Sequence, residues 1–143
     1  MPKLPHSLEQ YRAILTEFQT HGYQVIPPAA GVAKDRKTLF LRHDVDYDLG
    51  LAERLAQTNH ELGVTGCFFV HVRSPLYNAG CETTIRSFRR IRELGQVLGL
   101  HTLLPVGTPE FLDEDPSFLS RHVHAEFELL RAVSGAQIDQ LMS

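Results

Sequence analysis

The sequence predicts an α/β fold in which strands and helices alternate around a mostly parallel sheet. Two observations support this prediction. From Thr38 onward, short apolar runs typical of buried strands alternate with longer amphipathic segments, in the order strand, helix, strand, helix, strand, helix. Each connection is long enough to hold a helix that returns the chain to the same edge, which gives parallel βαβ units. The 143 residues suit a single domain, residues 1–143, and no linker divides them.

The N-terminal part of the chain predicts one helix and one short strand before this alternation begins. Ser7 to Gln10 has the Ser-x-x-Gln pattern of a capping box, which marks a helix start. The apolar residues that follow fall on one helical face, and Gly22 is suited to end the helix. Tyr23 to Ile26 then predicts a short strand that the next two prolines stop.

The first strand of the alternating region is predicted to run without a break from Thr38 to Asp46 and to be buried. Along it, alternate residues fall on opposite faces. One face carries Leu39, Leu41, His43 and Val45, and the other carries Phe40, Arg42, Asp44 and Asp46. His43 is therefore expected to point away from the two aspartates.

The rest of the region predicts two further strands and three helices. Asp48 is suited to cap a helix that ends at Gly63, and the strand from Cys67 to Val72 follows. A loop and a helix ending at Gly95 lead to a third strand, from Gln96 to Thr102. Asp115 and Pro116 then predict the cap and first position of a last helix that ends at Gly135, after which residues 136–142 are suited to begin another strand.

Charge and apolar content exclude several classes of partner. The chain has 14 basic against 17 acidic residues, whereas nucleic-acid and anionic-membrane surfaces need concentrated positive charge. No apolar run approaches the roughly 20 residues of a membrane helix. The first six residues lack the apolar core of a signal peptide. We therefore expect a cytoplasmic protein with no nucleic-acid partner and no membrane span.

Acidic and imidazole side chains follow the predicted strands at their carboxyl ends. Asp44 and Asp46 are two apart, so their carboxylates share one face, and a bound cation relieves their repulsion. The alternative interpretation is that they begin a turn or cap the next helix. His101 ends the third strand and is expected on the same rim, where carboxylate and imidazole together suit zinc. His71 closes the second strand and is a weaker candidate for this rim, whereas His122 is expected at a helix surface.

Four segments of the chain, taken in order, also carry a family resemblance. Residues 38–46, with Arg-His-Asp-Val-Asp at their end, resemble the first motif of the polysaccharide deacetylase-like carbohydrate esterases, in one of its variants. Residues 62–70 resemble the second strand of that family, and residues 73–78 resemble the loop that follows it. Residues 93–102 resemble the run that ends in the second motif.

The resemblance implies an irregular (β/α) barrel that removes acyl groups from N-acetylated sugars with the help of a divalent metal, expected to be zinc. Asp44 then matches the general base that deprotonates the attacking water, and Asp46 and His101 match metal ligands. From the loop, the resemblance implies substrate contacts by Arg73, Tyr77 and Asn78. The implied partner is a carbohydrate, such as a precursor of surface polysaccharide.

The chain also departs from the family pattern. The second motif normally has another histidine at the position of Pro105, and proline cannot bind a metal through its side chain. The later motifs, including a histidine that acts as general acid, would lie beyond Ser143. We therefore expect an incomplete domain that forms part of a barrel, with open strand edges that favour homo-oligomers.

Two alternative functions remain open at this point. The first is a non-catalytic remnant or partner-dependent module of the same fold. The second is a phosphatase of the haloacid dehalogenase type, because Asp44-Val45-Asp46 after an apolar strand resembles its Asp-x-Asp motif.

Overall fold

The computed structural model describes residues 7–31, 34–104, 116–135 and 141–142. Within these ranges the helices are α1 (Leu8–Thr20), α2 (Leu49–Glu61), α3 (Glu82–Glu93) and α4 (Pro116–Ser134). The strands are β1 (Gln24–Val25), β2 (Thr38–Leu39), β3 (Arg42–Val45), β4 (Cys67–Val70), β5 (Val97–His101) and β6 (Leu141–Met142). A short 3₁₀ helix spans Pro28–Ala30.

The main sheet is parallel and has the strand order β3-β4-β5-β6. Helix α2 connects β3 to β4, α3 connects β4 to β5, and α4 lies between β5 and β6 in the chain. The predicted α/β fold with parallel strands is therefore confirmed. Over the residues that the structure describes, the strands do not close into a barrel. No helix in these ranges is long and apolar enough to cross a membrane.

The prediction of one continuous strand from Thr38 to Asp46 is wrong, because the segment forms two strands in different sheets. β2 ends at Leu39 and pairs with β1 in a separate two-stranded sheet, whereas β3 begins at Arg42 and pairs with β4. Phe40, which lies between them, is 45% exposed. Leu39, Leu41 and Val45 continue one alternating face through both halves, so the sequence gives no sign that the backbone changes partner.

The described helix ends lie where the capping residues predict them. The Ser7 hydroxyl accepts from the backbone N–H of Gln10, and the Gln10 side chain accepts from that of Ser7, which completes the capping box. Asp48 accepts from the backbone N–H of Leu51 at 2.9 Å and caps α2. Gly63 follows α2 with a φ of 65°, in the left-handed region that favours glycine. The predicted cap Asp115 lies outside the described residues.

One face of the main sheet packs against α2, α3 and α4 and forms the core. The buried sheet residues on this face are Val45, Phe68, Val70, Leu98 and Leu100. Their helical partners include Ala52, Ala56, Phe88, Ile91 and Leu130. Burying each large apolar side chain contributes roughly 1.5–3 kcal/mol. Because side chains alternate along a strand, this packing fixes which residues project from the opposite face.

A buried polar network lies at the amino-terminal end of the sheet. The Tyr11 hydroxyl donates to Asn59 Oδ1 at 2.5 Å and lies 3.1 Å from His43 Nε2. Since the single hydroxyl proton goes to Asn59, the tyrosine oxygen must accept from His43 Nε2–H. Burial lowers the pKa of His43 to about 4, against an opposing effect of Asp44. His43 is therefore neutral, and it points away from the aspartates as predicted, stacked on Phe68.

Candidate metal centre

Three polar side chains form one row across the carboxyl edge of the sheet. They are Asp46 after β3, His71 after β4 and His101 at the end of β5. The register pairs Asp44 with Phe69 and Phe69 with Gly99. The observed pairs end at Val45 with Val70 and Val70 with Leu100, and the same register extended by one residue would align the aspartate with the two histidines. The period of two places all three on the face opposite the core.

The three side chains converge on one carboxylate oxygen. Asp46 Oδ1 lies 3.2 Å from His71 Nε2 and 3.2 Å from His101 Nδ1. One potential ligand atom from each residue lies within 4.8 Å of the others. The two imidazole rings stack, with centroids 4.3 Å apart and planes inclined by 21°. The side chain of His71 is 6% exposed and that of Asp46 is 42% exposed, so the cluster opens to solvent on the aspartate side.

The backbone fixes the tautomer of His71. Its Nδ1 atom lies 2.7 Å from the carbonyl oxygen of His101. A carbonyl can only accept, so Nδ1 carries the proton, and in the neutral ring Nε2 presents a lone pair. That lone pair faces Asp46 Oδ1. Two electron-rich atoms at this distance need a proton or a cation between them.

His101 provides a second sign of an electrophilic partner. Its Nδ1 atom is buried and makes no hydrogen bond, although Asp46 Oδ1 lies 3.2 Å away. Zinc ligands lie about 2.0–2.2 Å from the ion, which separates two ligands of a tetrahedral site by roughly 3.3 Å. The two contacts of 3.2 Å made by Asp46 match this separation. The donor set and its spacing therefore fit a zinc-like ion.

The predicted base Asp44 lies one row deeper on the same face. Two residues along a strand correspond to about 6.6 Å, so it is close to the cluster without being part of it. Arg42 Nε donates to Asp44 Oδ1 at 2.7 Å, and the Arg42 guanidinium lies over the ring of Phe69 at 4.8 Å. The arginine thus orients the carboxylate.

The residues predicted to contact substrate lie in the loop between β4 and α3. Arg73 donates to the buried carboxylate of Glu126 at 3.0 Å, which ties the loop to α4. Asn78 is exposed, and its side chain accepts from the backbone N–H of Gly80 at 2.9 Å. Tyr77 is buried, and burial raises its pKa to about 12, so its hydroxyl is neutral. Their contacts with substrate stay predictions.

Two histidines differ from their sequence-based ranking. His71, the weaker candidate, is one of the three residues of the cluster. His122, expected at the surface, has a side chain that is only 9% exposed and lies 3.1 Å from the carbonyl oxygen of Leu103. Its Nε2 atom also lies 3.5 Å from Glu126, one helical turn away. His122 and Glu126 are four residues apart in the sequence, a spacing that places two helical side chains in contact and could have indicated this pair. Pro105 lies outside the described residues.

Comparison with solved structures finds a similar fold in a family 4 carbohydrate esterase from Bacillus anthracis. The TM-score is 0.56 and the sequence identity is 17%. The match covers 96% of this chain and 58% of the esterase, so the chain spans little more than half of that protein's length. No family model and no curated protein matches the sequence. The likeness at this identity concerns the fold, and the chain shares the α/β fold of that esterase.

Proposed function

We propose that the chain is a metal-dependent, deacetylase-like domain that acts on the amide of N-acetylated sugars. The observation that carries this proposal is the convergence of Asp46, His71 and His101 at the carboxyl edge of a parallel sheet, where α/β folds bind their ligands. The fold shared with a carbohydrate esterase supports it. So does the resemblance of Arg42 to Asp46 to a deacetylase motif. On this proposal the sheet is part of an irregular (β/α) barrel.

Three protein ligands suit a catalytic zinc ion, since such sites keep a further position open for water or substrate. Asp46, His71 and His101 would hold the ion, and His71 supplies the second imidazole that Pro105 cannot. When bound, zinc would polarise the amide carbonyl and lower the pKa of water. The carbonyl of His101 orients His71 through Nδ1, as outer hydrogen bonds commonly do for ligating histidines.

Asp44 is the residue that we propose as general base. It projects from the same face as the cluster, one row deeper, and Arg42 holds one of its oxygens. A carboxylate fixed in this way is suited to accept the proton of the attacking water at its oxygen. That proton would then be available to the amine nitrogen, which must gain one when its bond to the acyl carbon breaks.

A cavity of about 240 Å³, lined by residues that follow β3 and β4 in the chain, suits a sugar ring. Its walls include Tyr47, which directly follows Asp46 and is 77% exposed, and Leu76, which is 58% exposed. Thr83 and Asp48 add polar groups to the lining. An aromatic face packs against the C–H groups of a sugar while nearby polar groups bond its hydroxyls. We propose that this cavity holds the sugar next to the scissile amide.

The two alternatives make different demands on the site. A phosphatase of the dehalogenase type would use magnesium, which prefers oxygen ligands, whereas two of the three groups here are imidazoles. A non-catalytic module would keep the metal and lose the hydrolysis. The metal and the reaction must therefore be measured separately.

The experiment combines zinc titration by calorimetry with hydrolysis of N-acetylglucosamine oligomers by the full chain. We expect one zinc per chain and slow deacetylation. Binding should be lost in an Asp46→Ala, His101→Ala double variant. It should persist in a control double variant, His124→Ala, Glu128→Ala, which removes the same types of group from the exposed face of α4.

Asp44→Asn separates catalysis from metal binding. We expect this variant to bind zinc normally and to lose the hydrolysis. Zinc binding without hydrolysis in the unaltered chain would support the non-catalytic module. Binding that survives the Asp46→Ala, His101→Ala change would refute the site.

The cellular location and the oligomeric state of the protein are two further proposals. We propose a cytoplasmic location, which fractionation of cells tests. We also propose that copies associate through open strand edges, which sedimentation equilibrium of the full chain tests by its molecular mass.

A further inference from the structure

We infer that Tyr77 is a positioning residue of the candidate metal centre, where its hydroxyl sets the spacing between the strand ends that carry Asp46 and His71. This inference rests on the proposed function. It gives Tyr77 a role distinct from the substrate contact that the loop resemblance implied. The role follows from where the hydroxyl sits in the hydrogen-bond ladder of the sheet.

The backbone hydrogen bonds between β3 and β4 are spaced two residues apart. The backbone N–H of Cys67 donates to the carbonyl of Leu41 at 2.8 Å. In a parallel ladder a strand donates to the same neighbour at every second residue. The next donor after Cys67 would be the N–H of Phe69, to the carbonyl of His43. The one after that would be the N–H of His71, to the carbonyl of Val45.

The hydroxyl of Tyr77 occupies the place of that bond. It accepts from the backbone N–H of His71 at 2.9 Å and donates to the carbonyl of Val45. One oxygen atom therefore bridges the donor and acceptor that would otherwise meet directly. The registered pairing of the two strands ends at Val45 and Val70, one residue before Asp46 and His71.

This insertion separates the two strands at the point where the site begins. Val45 immediately precedes Asp46, and His71 is itself part of the cluster. A direct ladder bond would bring the two backbones closer by about the width of an oxygen atom. Displacements of about 1 Å are enough to spoil a metal site. The hydroxyl thus holds the carboxylate and the imidazole at the separation that a shared ion needs.

Tyr77→Phe removes the hydroxyl and keeps the ring, which packs edge-on against Phe88 with centroids 6.3 Å apart. Tyr11→Phe is the matched control, because it also removes a hydrogen-bonded tyrosine hydroxyl, but at the opposite end of the sheet. We expect Tyr77→Phe to weaken zinc binding about tenfold or more, the usual effect of losing an outer hydrogen bond at a metal site. Tyr11→Phe should leave zinc affinity within about twofold.

Hydrogen exchange of the His71 amide gives a readout that needs no metal. In Tyr77→Phe this amide should exchange at a different rate, while the amide of Gly66, which donates to Gln96 at 2.8 Å, should not change. Unchanged zinc affinity in a folded Tyr77→Phe chain would overturn the inference. So would an unchanged His71 exchange rate.

If Tyr77→Phe does not fold, the unaltered chain still decides the matter. Zinc should then slow exchange at the His71 amide at least tenfold and leave Gly66 unaffected, because binding at the site and closure of the bridge are linked. Equal exchange with and without zinc would overturn the role of Tyr77. A chain that binds no zinc at all would instead refute the proposed function, so calorimetric zinc binding, measured first, keeps the two failures apart.

Discussion

The Nδ1 atom of His71 lies 2.7 Å from the backbone carbonyl oxygen of His101, its neighbour on the adjacent strand. His101 therefore contributes to the cluster twice. Its carbonyl fixes the proton of His71 on Nδ1, and its own imidazole faces Asp46 at 3.2 Å. One imidazole is thereby held ready to bind a cation before any cation arrives. Such preorganisation limits the entropy that binding must overcome.

His71→Ala should reduce zinc affinity by at least 100-fold, since it removes one of three ligands and leaves a two-ligand site. The control is His60→Ala, because His60 Nδ1 also lies against a backbone carbonyl, that of Leu94 at 3.2 Å, but away from the cluster. Competition with a chromophoric chelator measures both affinities. Equal affinities in the two variants would remove His71 from the site.

Much of this site could be predicted from the sequence, because the carboxyl ends of parallel strands meet at one edge. That rule is enough to predict that Asp46 and His101 lie close together. It could not rank His71, whose place in the row depends on the strand register. It also could not locate the bridge made by Tyr77, because that bridge depends on the path of a loop. The break in the first strand was hidden for a related reason, since Leu39, Leu41 and Val45 keep one alternating face through both halves and pairing decides where a strand ends.

Gly99→Ala should destabilise the sheet by roughly 1–3 kcal/mol, as overpacked sites do. A Cβ atom at Gly99 would lie 2.4 Å from the ring of Phe69, which is 1% exposed and has little room to move. Gly80→Ala is the control, because its added Cβ would meet only the exposed side chain of Asn78, at 3.1 Å. Urea denaturation measures both variants. Similar midpoints would show that Phe69 can shift without cost.

The unfolding free energy should fall as pH drops from about 6.5 toward 4. Burial holds the pKa of His43 at about 4, below its ordinary value of 6.5. Between these values the unfolded chain binds the proton and the folded chain does not, so acid favours unfolding. The shift corresponds to about 3 kcal/mol, developed fully near pH 4. Above pH 6.5 His43 contributes no pH dependence.

His43→Gln isolates this effect, since glutamine does not titrate. Between pH 4 and 6.5, the unfolding free energy of this variant should depend less steeply on pH. The difference corresponds to the one proton that His43 binds when the chain unfolds. His124→Gln, at an exposed position, should retain the original slope. A slope that is the same in both variants would assign the acid sensitivity to other groups.

Tyr47→Ala should weaken binding of N-acetylglucosamine oligomers about tenfold, because it removes the exposed aromatic face that lines the proposed sugar cavity. Tyr47→Phe keeps that face and should bind nearly as well as the unaltered chain. Titration followed by nuclear magnetic resonance gives both affinities without requiring turnover. Equal binding by Tyr47→Ala and the unaltered chain would move the sugar subsite elsewhere.

The most direct measurement is a crystal structure of the full chain soaked with zinc, with anomalous diffraction recorded on both sides of the zinc absorption edge. We expect one anomalous peak within ligand distance of Asp46, His71 and His101, about 2.0–2.2 Å from one atom of each. The absence of a peak there at saturating zinc, or a peak that leaves out His71, would contradict the metal centre described for this edge of the sheet.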